Sequence, residues 1–222
     1  MRLFARLIAV VLTLGLAATG ASAEGEPPGF GGVREAPPPE GLPTPDNLVR
    51  EAMRHPPGDP VQRAEVLSAL YQRLAGEKVR DEARAIAQAI ERVWRTSGSP
   101  TNDLLLERAT AAIEEKRTDI AHALLDALIE LQPDFAEAWN RRAYVYYLEQ
   151  EPQRALADLR QVLALDPKHF RALEGVAEIL RTLGEKKASL EAYRKLVEIY
   201  PELDGAAKAV ETLSIEVEGQ GI

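Results

Sequence analysis

Residues 136–169 read AEAWNRRAYVYYLEQEPQRALADLRQVLALDPKH, and this stretch decides the fold because its features recur at a fixed distance on either side. Pro133, Pro167 and Pro201 are 34 residues apart, and so are Ala109, Ala143 and Ala177. Ala121, Ala155 and Ser189 form a second small-residue column in the same register. Three bulky apolar columns run beside them: Leu105, Trp139 and Leu173; Leu125, Leu159 and Tyr193; Leu128, Val162 and Leu196. Each column has a physical reason. A small side chain lets two antiparallel helices cross closely, and bulky ones fill the space on either side. Proline lacks the N–H that another helical turn needs, so it ends the second helix of a pair and turns the chain into the next. The spacing predicts a helix, a turn, a helix and a turn, repeated.

A 34-residue helix pair of this kind resembles the tetratricopeptide repeat. In the central copy Trp139, Ala143, Tyr146, Ala155, Leu159 and Pro167 carry the family pattern, and copies over 102–135 and 170–203 carry most of it. A degenerate copy over about 64–97 has Leu70, Leu74, Ala83, Ala87 and Ile90 in register. It has Tyr71 where the small residue belongs, and about four further residues around 97–100 precede the next copy. The resemblance implies an all-α fold, a tetratricopeptide-repeat solenoid of helical hairpins winding as a right-handed superhelix over residues 61–217. A repeat stack must cover its apolar ends. Residues 204–217 place Ala206, Val210, Leu213 and Val217 at helical spacing with charge on the other side, and read as the C-terminal cap, followed by a tail over 218–222.

The two ends of the chain differ from this core. Arg2 and Arg6 precede an uncharged apolar run over residues 7–20 and a small-x-small site at Ala21-Ser22-Ala23, the pattern of an export leader cleaved after Ala23. The run is about 14 residues, short of the ~20 that span a bilayer as a helix, so no integral membrane segment is expected after cleavage. Ten of the 15 prolines fall between residues 24 and 60. That stretch reads as a Pro/Gly-rich disordered tether with one short helical turn at 46–54. Without the leader, 25 basic residues face 35 acidic ones, a balance that repels nucleic acid and anionic lipid. With no cysteine there is no lipoprotein anchor, disulfide or thiolate site. The expected localisation is outside the cytoplasm, and the periplasm if the source is Gram-negative.

No catalytic, cofactor-binding or metal-binding residue is expected. His55, His122 and His169 are scattered without ligand spacing, and GFGG at 29–32 lies in the linker with no lysine after it. Glu114 and Glu115 point about 100° apart on a helix, so they read as a solvated face. Arg142 occupies a column that is apolar in the next copy, where Val176 stands, and Asp158 follows it by 16 residues where that copy has Ala192. A structural salt bridge is the preferred reading, with a ligand contact as the alternative.

The resemblance implies a protein or peptide partner held in a concave groove lined by the first helices of successive pairs. Asn140, Tyr144 and Tyr147, spaced i, i+4, i+7, share one stripe outside the core columns. Leu106 and Ile113 extend that strip from the preceding pair, and Arg171, Glu174, Glu178 and Arg181 lie at its other end. The alternative for the tyrosines is packing against a neighbouring helix or the tether. A purely structural spacer and an enzyme or enzyme accessory subunit are the competing function classes. A spacer would have a charged, featureless groove, and an enzyme a converging acid–base pair.

Overall fold

Capping chemistry sets where the helices begin and end. The computed structural model describes residues 45–219, with the side chains of Pro45, Asp46 and Glu218 excepted, and these residues form ten helices and no strand. In chain order they are α1 (Pro45–Arg54), α2 (Pro60–Gly76), α3 (Arg80–Trp94), α4 (Pro100–Glu114), α5 (Thr118–Leu131), α6 (Ala136–Leu148), α7 (Pro152–Leu165), α8 (Phe170–Thr182), α9 (Lys186–Ile199) and α10 (Ala206–Glu218). Proline opens α2, α4 and α7, where its missing N–H costs nothing. The Asp59 carboxylate accepts from the Val61 and Gln62 N–H groups at 3.0 Å, closing the N-terminus of α2. The second helix of each later pair stops at Leu131, Leu165 and Ile199, two residues before Pro133, Pro167 and Pro201.

Helices α4 and α5, α6 and α7, and α8 and α9 pack as the three expected pairs, each pair stacking on the next. The small-residue columns are buried throughout: Ala109, Ala121, Ala143, Ala155, Ala177 and Ser189. Ser189 keeps its hydroxyl because it donates to the Ala177 carbonyl at 2.8 Å across the crossing. The turn inside each pair repeats as well. Lys116, Gln150 and Gly184 all adopt left-handed backbone, with φ of 58°, 61° and 82°. In each turn the following N–H, of Arg117, Glu151 or Glu185, reaches back to the carbonyl of Ala112, Tyr146 or Leu180, which is the Schellman closure of a helix end. Helix α10 packs on α9 and buries Ala206 and Leu213 as the cap.

The first three helices depart from the stack. Both α1 and α2 pack on α3, but α3 barely touches α4, whereas α5 packs on α6 and α7 on α8. Instead α2 lies against α9, and the aromatic end of α3 meets the start of α8: Trp94 stacks on His169 with ring centres 3.7 Å apart and touches Phe170. The degenerate pair is therefore folded across to the last repeat. Between α3 and α4 the chain turns at Gly98, whose φ is 87° and whose Cα would hold a side chain 2.4 Å from the Gly58 carbonyl. Only glycine fits there.

The expected tether over 24–60 extends too far. Residues 45–54 are a three-turn helix, and Leu48 and Ala52, 4% and 3% exposed, join the core with α3. The physical reason is position. Leu48 and Ala52 share one helix face, while Pro45 starts α1, Pro56 and Pro57 follow it and Pro60 starts α2, so no proline interrupts a helical ladder. Residues 24–44, the leader over 1–23 and the last residues of the tail lie outside the described residues. Truncating Leu48 to Ala removes a fully packed side chain. It should cost roughly 2–4 kcal/mol, read as a lower denaturant midpoint; an unchanged midpoint would mean that α1 is not part of the fold.

Candidate protein-binding groove

On α6 the side chains not claimed by the two neighbouring pairs form one stripe. Tyr144 and Tyr147 are 48% and 49% exposed, and Asn140 lies between them and the helix start. They line a cavity of about 530 Å³. Helix α8 supplies the facing wall with Arg171, Glu174 and Glu178, and α3 supplies a third with Glu91 and Trp94. Of the nine expected site residues, six line this cavity: Asn140, Tyr144, Tyr147, Arg171, Glu174 and Glu178.

Three do not. Leu106 and Ile113 are 3% and 8% exposed and belong to the core between α4, α5 and α6. They share the inward face of α4 with Ala109, so they fill the pair's own interior and leave no apolar strip for a partner. Arg181 is hydrogen-bonded to Glu178 but faces a second cavity, of about 370 Å³, beside α9 and α10.

The cavity floor is a buried charge network. Glu137, 3% exposed, accepts from Arg141 Nε at 2.7 Å and from Asn140 Nδ2 at 3.0 Å. His169 lies beneath it with Nε2 3.5 Å from the Glu137 carboxylate, at the outer limit of hydrogen bonding. Its Nδ1 accepts from the Ala172 N–H at 3.2 Å, which leaves the ring proton on Nε2, facing the carboxylate. Burial alone would raise the Glu137 carboxyl, but His169 and the Arg141 charge together outweigh it and hold it at about 2.

The third wall is fastened by Asp166, in the turn before α8. Its Oδ2 accepts from the Tyr71 hydroxyl at 2.5 Å and from Trp94 Nε1 at 3.1 Å. Burial and the adjacent Asp166 carboxylate push the Tyr71 phenol well above its ordinary value, so it stays a donor. Arg171 Nε reaches Glu91 at 2.8 Å from the groove side, and its NH1 reaches Glu174 at 3.0 Å. The periodicity did not reveal Glu91 and Trp94 as groove residues, because they lie on the one pair that leaves the stack. The available signal was Tyr71, an aromatic in a small-residue column.

Arg142 is occupied elsewhere. It forms a two-pronged pair with buried Asp158 at 2.8 and 2.9 Å, as the salt-bridge reading expects, and a third bond at 2.8 Å to Asp126 of the preceding pair. Among the described residues no group of three or more His, Asp or Glu side chains is arranged to hold a metal ion. Nor is any helix among them long and apolar enough to cross a membrane.

A sequence profile for the tetratricopeptide repeat matches residues 106–157 and 149–204. The chain is 38% identical over 173 residues to a tetratricopeptide-repeat-containing protein of Rhizobium etli, covering 78% of this chain and 83% of that one. The chain belongs to the tetratricopeptide-repeat family. It is also similar to the type IV pilus assembly protein PilF of Pseudomonas aeruginosa, at 30% identity over 105 residues, 45% of this chain and 40% of that one. Among solved structures, the first tetratricopeptide-repeat domain of Spaghetti bound to the HSP90 peptide SRMEEVD matches with a TM-score of 0.50. There the identity is 16%, over 53% of this chain and 95% of that one, and the match shows the shared fold alone. Tetratricopeptide-repeat proteins act as scaffolds for protein interaction through their concave surfaces. The profile match begins inside α4, so the α1–α3 bundle of this tetratricopeptide-repeat protein precedes the matched residues.

The depressed Glu137 carboxyl gives a signed pH dependence. Its stabilisation is complete above its ordinary value near 4.5 and is lost as the pH falls towards 2. In Glu137→Gln the fall in stability between those values should be shallower than in the parent, from chemical melts at successive pH. Parallel curves would show that Glu137 does not contribute.

Proposed function

We propose that this chain is an exported adaptor that holds a protein or peptide in the groove between α3, α6 and α8, in the service of cell-envelope assembly. One observation carries the groove reading. Tyr144 and Tyr147 stand half exposed beside Asn140 on the wall of a preformed cavity, and no neighbouring helix packs over them. Aromatic side chains left in water at a concave surface are the usual anchors of a binding hot spot. The solved Spaghetti domain holds a peptide, and PilF is a pilus assembly protein; both agree with a peptide-holding role in assembly. Export rests on the leader pattern over residues 1–23.

Two measurements test the proposal. Replacing Tyr144 and Tyr147 together by Ala should abolish partner capture from envelope extract while leaving helical circular dichroism and the melting point close to the parent, since both side chains are half exposed. Capture that survives the double substitution removes the groove from the proposal. Intact mass of the protein recovered from the envelope fraction should correspond to a chain beginning at Glu24; a mass retaining residues 1–23 would overturn cleavage.

A further inference from the structure

The groove is closed on its third side, and that limits what it admits. The cavity, of about 530 Å³, lies between α3, α6 and α8. Widening it means parting Trp94 from His169 and Asp166, and Glu91 from Arg171. The occupant is thus a short segment held between these three walls. Its charge follows from the wall. Glu91, Glu137, Glu174 and Glu178 supply four carboxylates to the lining, and Arg141 and Arg171 two guanidiniums.

Both guanidiniums are already engaged. Arg141 is bound to Glu137, and Arg171 is divided between Glu91 and Glu174. Arg181 holds Glu178 from outside the cavity. Even with Arg181 counted, one negative charge is in excess. A carboxylate entering the groove would have to share a guanidinium that already holds one or two carboxylates, against the excess negative charge of the lining. An entering cation meets unneutralised carboxylate charge beside the half-exposed rings of Tyr144 and Tyr147, whose faces can attract a cation further.

We propose that the groove selects a short, basic segment, one bearing Lys or Arg, and rejects acidic peptides. This rests on the groove reading above. The test uses two acetylated and amidated hexapeptides, Gly-Lys-Tyr-Lys-Leu-Gly and its counterpart with Glu in place of both Lys, titrated into the nitrogen-15-labelled full chain. The chain has two tryptophans, which give separate indole signals. Trp94 lines the cavity, and Trp139, bound to the Pro133 carbonyl at 2.9 Å, lies outside it.

The Lys peptide should shift the Trp94 indole and leave that of Trp139 in place, binding about fivefold or more tighter than the Glu peptide and more weakly as salt rises. In Glu91→Gln/Glu174→Gln, which frees Arg171 and reverses the excess charge, the preference should invert. Glu174→Gln alone, at a partly exposed residue bonded only to Arg171, should reduce the ratio and serves if the double variant folds poorly. Equal or tighter binding of the Glu peptide to the parent, or an unmoved Trp94 indole with both, overturns the inference. Capture through Tyr144 and Tyr147 decides the groove reading separately.

Discussion

The close crossing of two helices at a pair of small side chains is the constraint on which everything else in this chain depends. At Ala143 and Ala155, and at their equivalents one repeat away in each direction, there is no side chain large enough to hold the backbones apart. The pair closes tightly, and the bulky column of Leu125, Leu159 and Tyr193 then has a fixed space to fill. Because that geometry recurs every 34 residues, successive first helices present the same face in the same direction. The stripe of Asn140, Tyr144 and Tyr147 is what remains of α6 once both neighbours have taken their share.

The departure at the N-terminus is as informative as the regular part. Tyr71 stands where a small residue would permit another close crossing, so the first pair cannot repeat the geometry of the rest. Its hydroxyl and the Trp94 indole converge on one carboxylate oxygen of Asp166, and the Trp94 ring lies flat on His169. The same His169 supports Glu137 from below and caps α8 through Ala172. One turn of four residues, 166–169, thus fastens the third wall, steadies the cavity floor and starts the next helix.

What was legible in the sequence was whatever repeats by residue type. Proline, alanine and leucine columns gave the pairs, their ends and the cap, and Arg142 with Asp158 gave a buried pair because both are absent together one copy later. What was hidden repeats by conformation or by long-range contact. The left-handed position at Lys116, Gln150 and Gly184 is as regular as any column, but glycine marks it only once. Leu106 and Ile113 share the spacing of a surface strip, and only the placement of α5 and α6 shows that they point inward. Glu91 and Trp94 could not be assigned to the groove from periodicity, since a period describes neighbours along the chain and α3 meets α8. The place of α1 in the fold was obscured by the prolines around it, although Pro45 and Pro60 start helices and Pro56 and Pro57 lie between them, so that none interrupts a helix.

A repeat stack is ordinarily one-dimensional: each unit touches only the next, and stability grows by nearest-neighbour increments, so the ends fray first. Here the first helices are tied to the last repeat by bonds between residues 72, 80, 95 and 124 positions apart. That adds long-range ties to an otherwise nearest-neighbour array, so that loss of the first helices also uncovers part of the last repeat. It also imposes an order on biosynthesis. A ribosome releases the N-terminus first, yet α2 and α3, packed on each other and on α1, lack the rest of their partner surface until the turn at Asp166 and helices α8 and α9 exist. The oldest part of the nascent chain is thus the last to reach its final contacts, and until then its apolar faces depend on being kept from other chains.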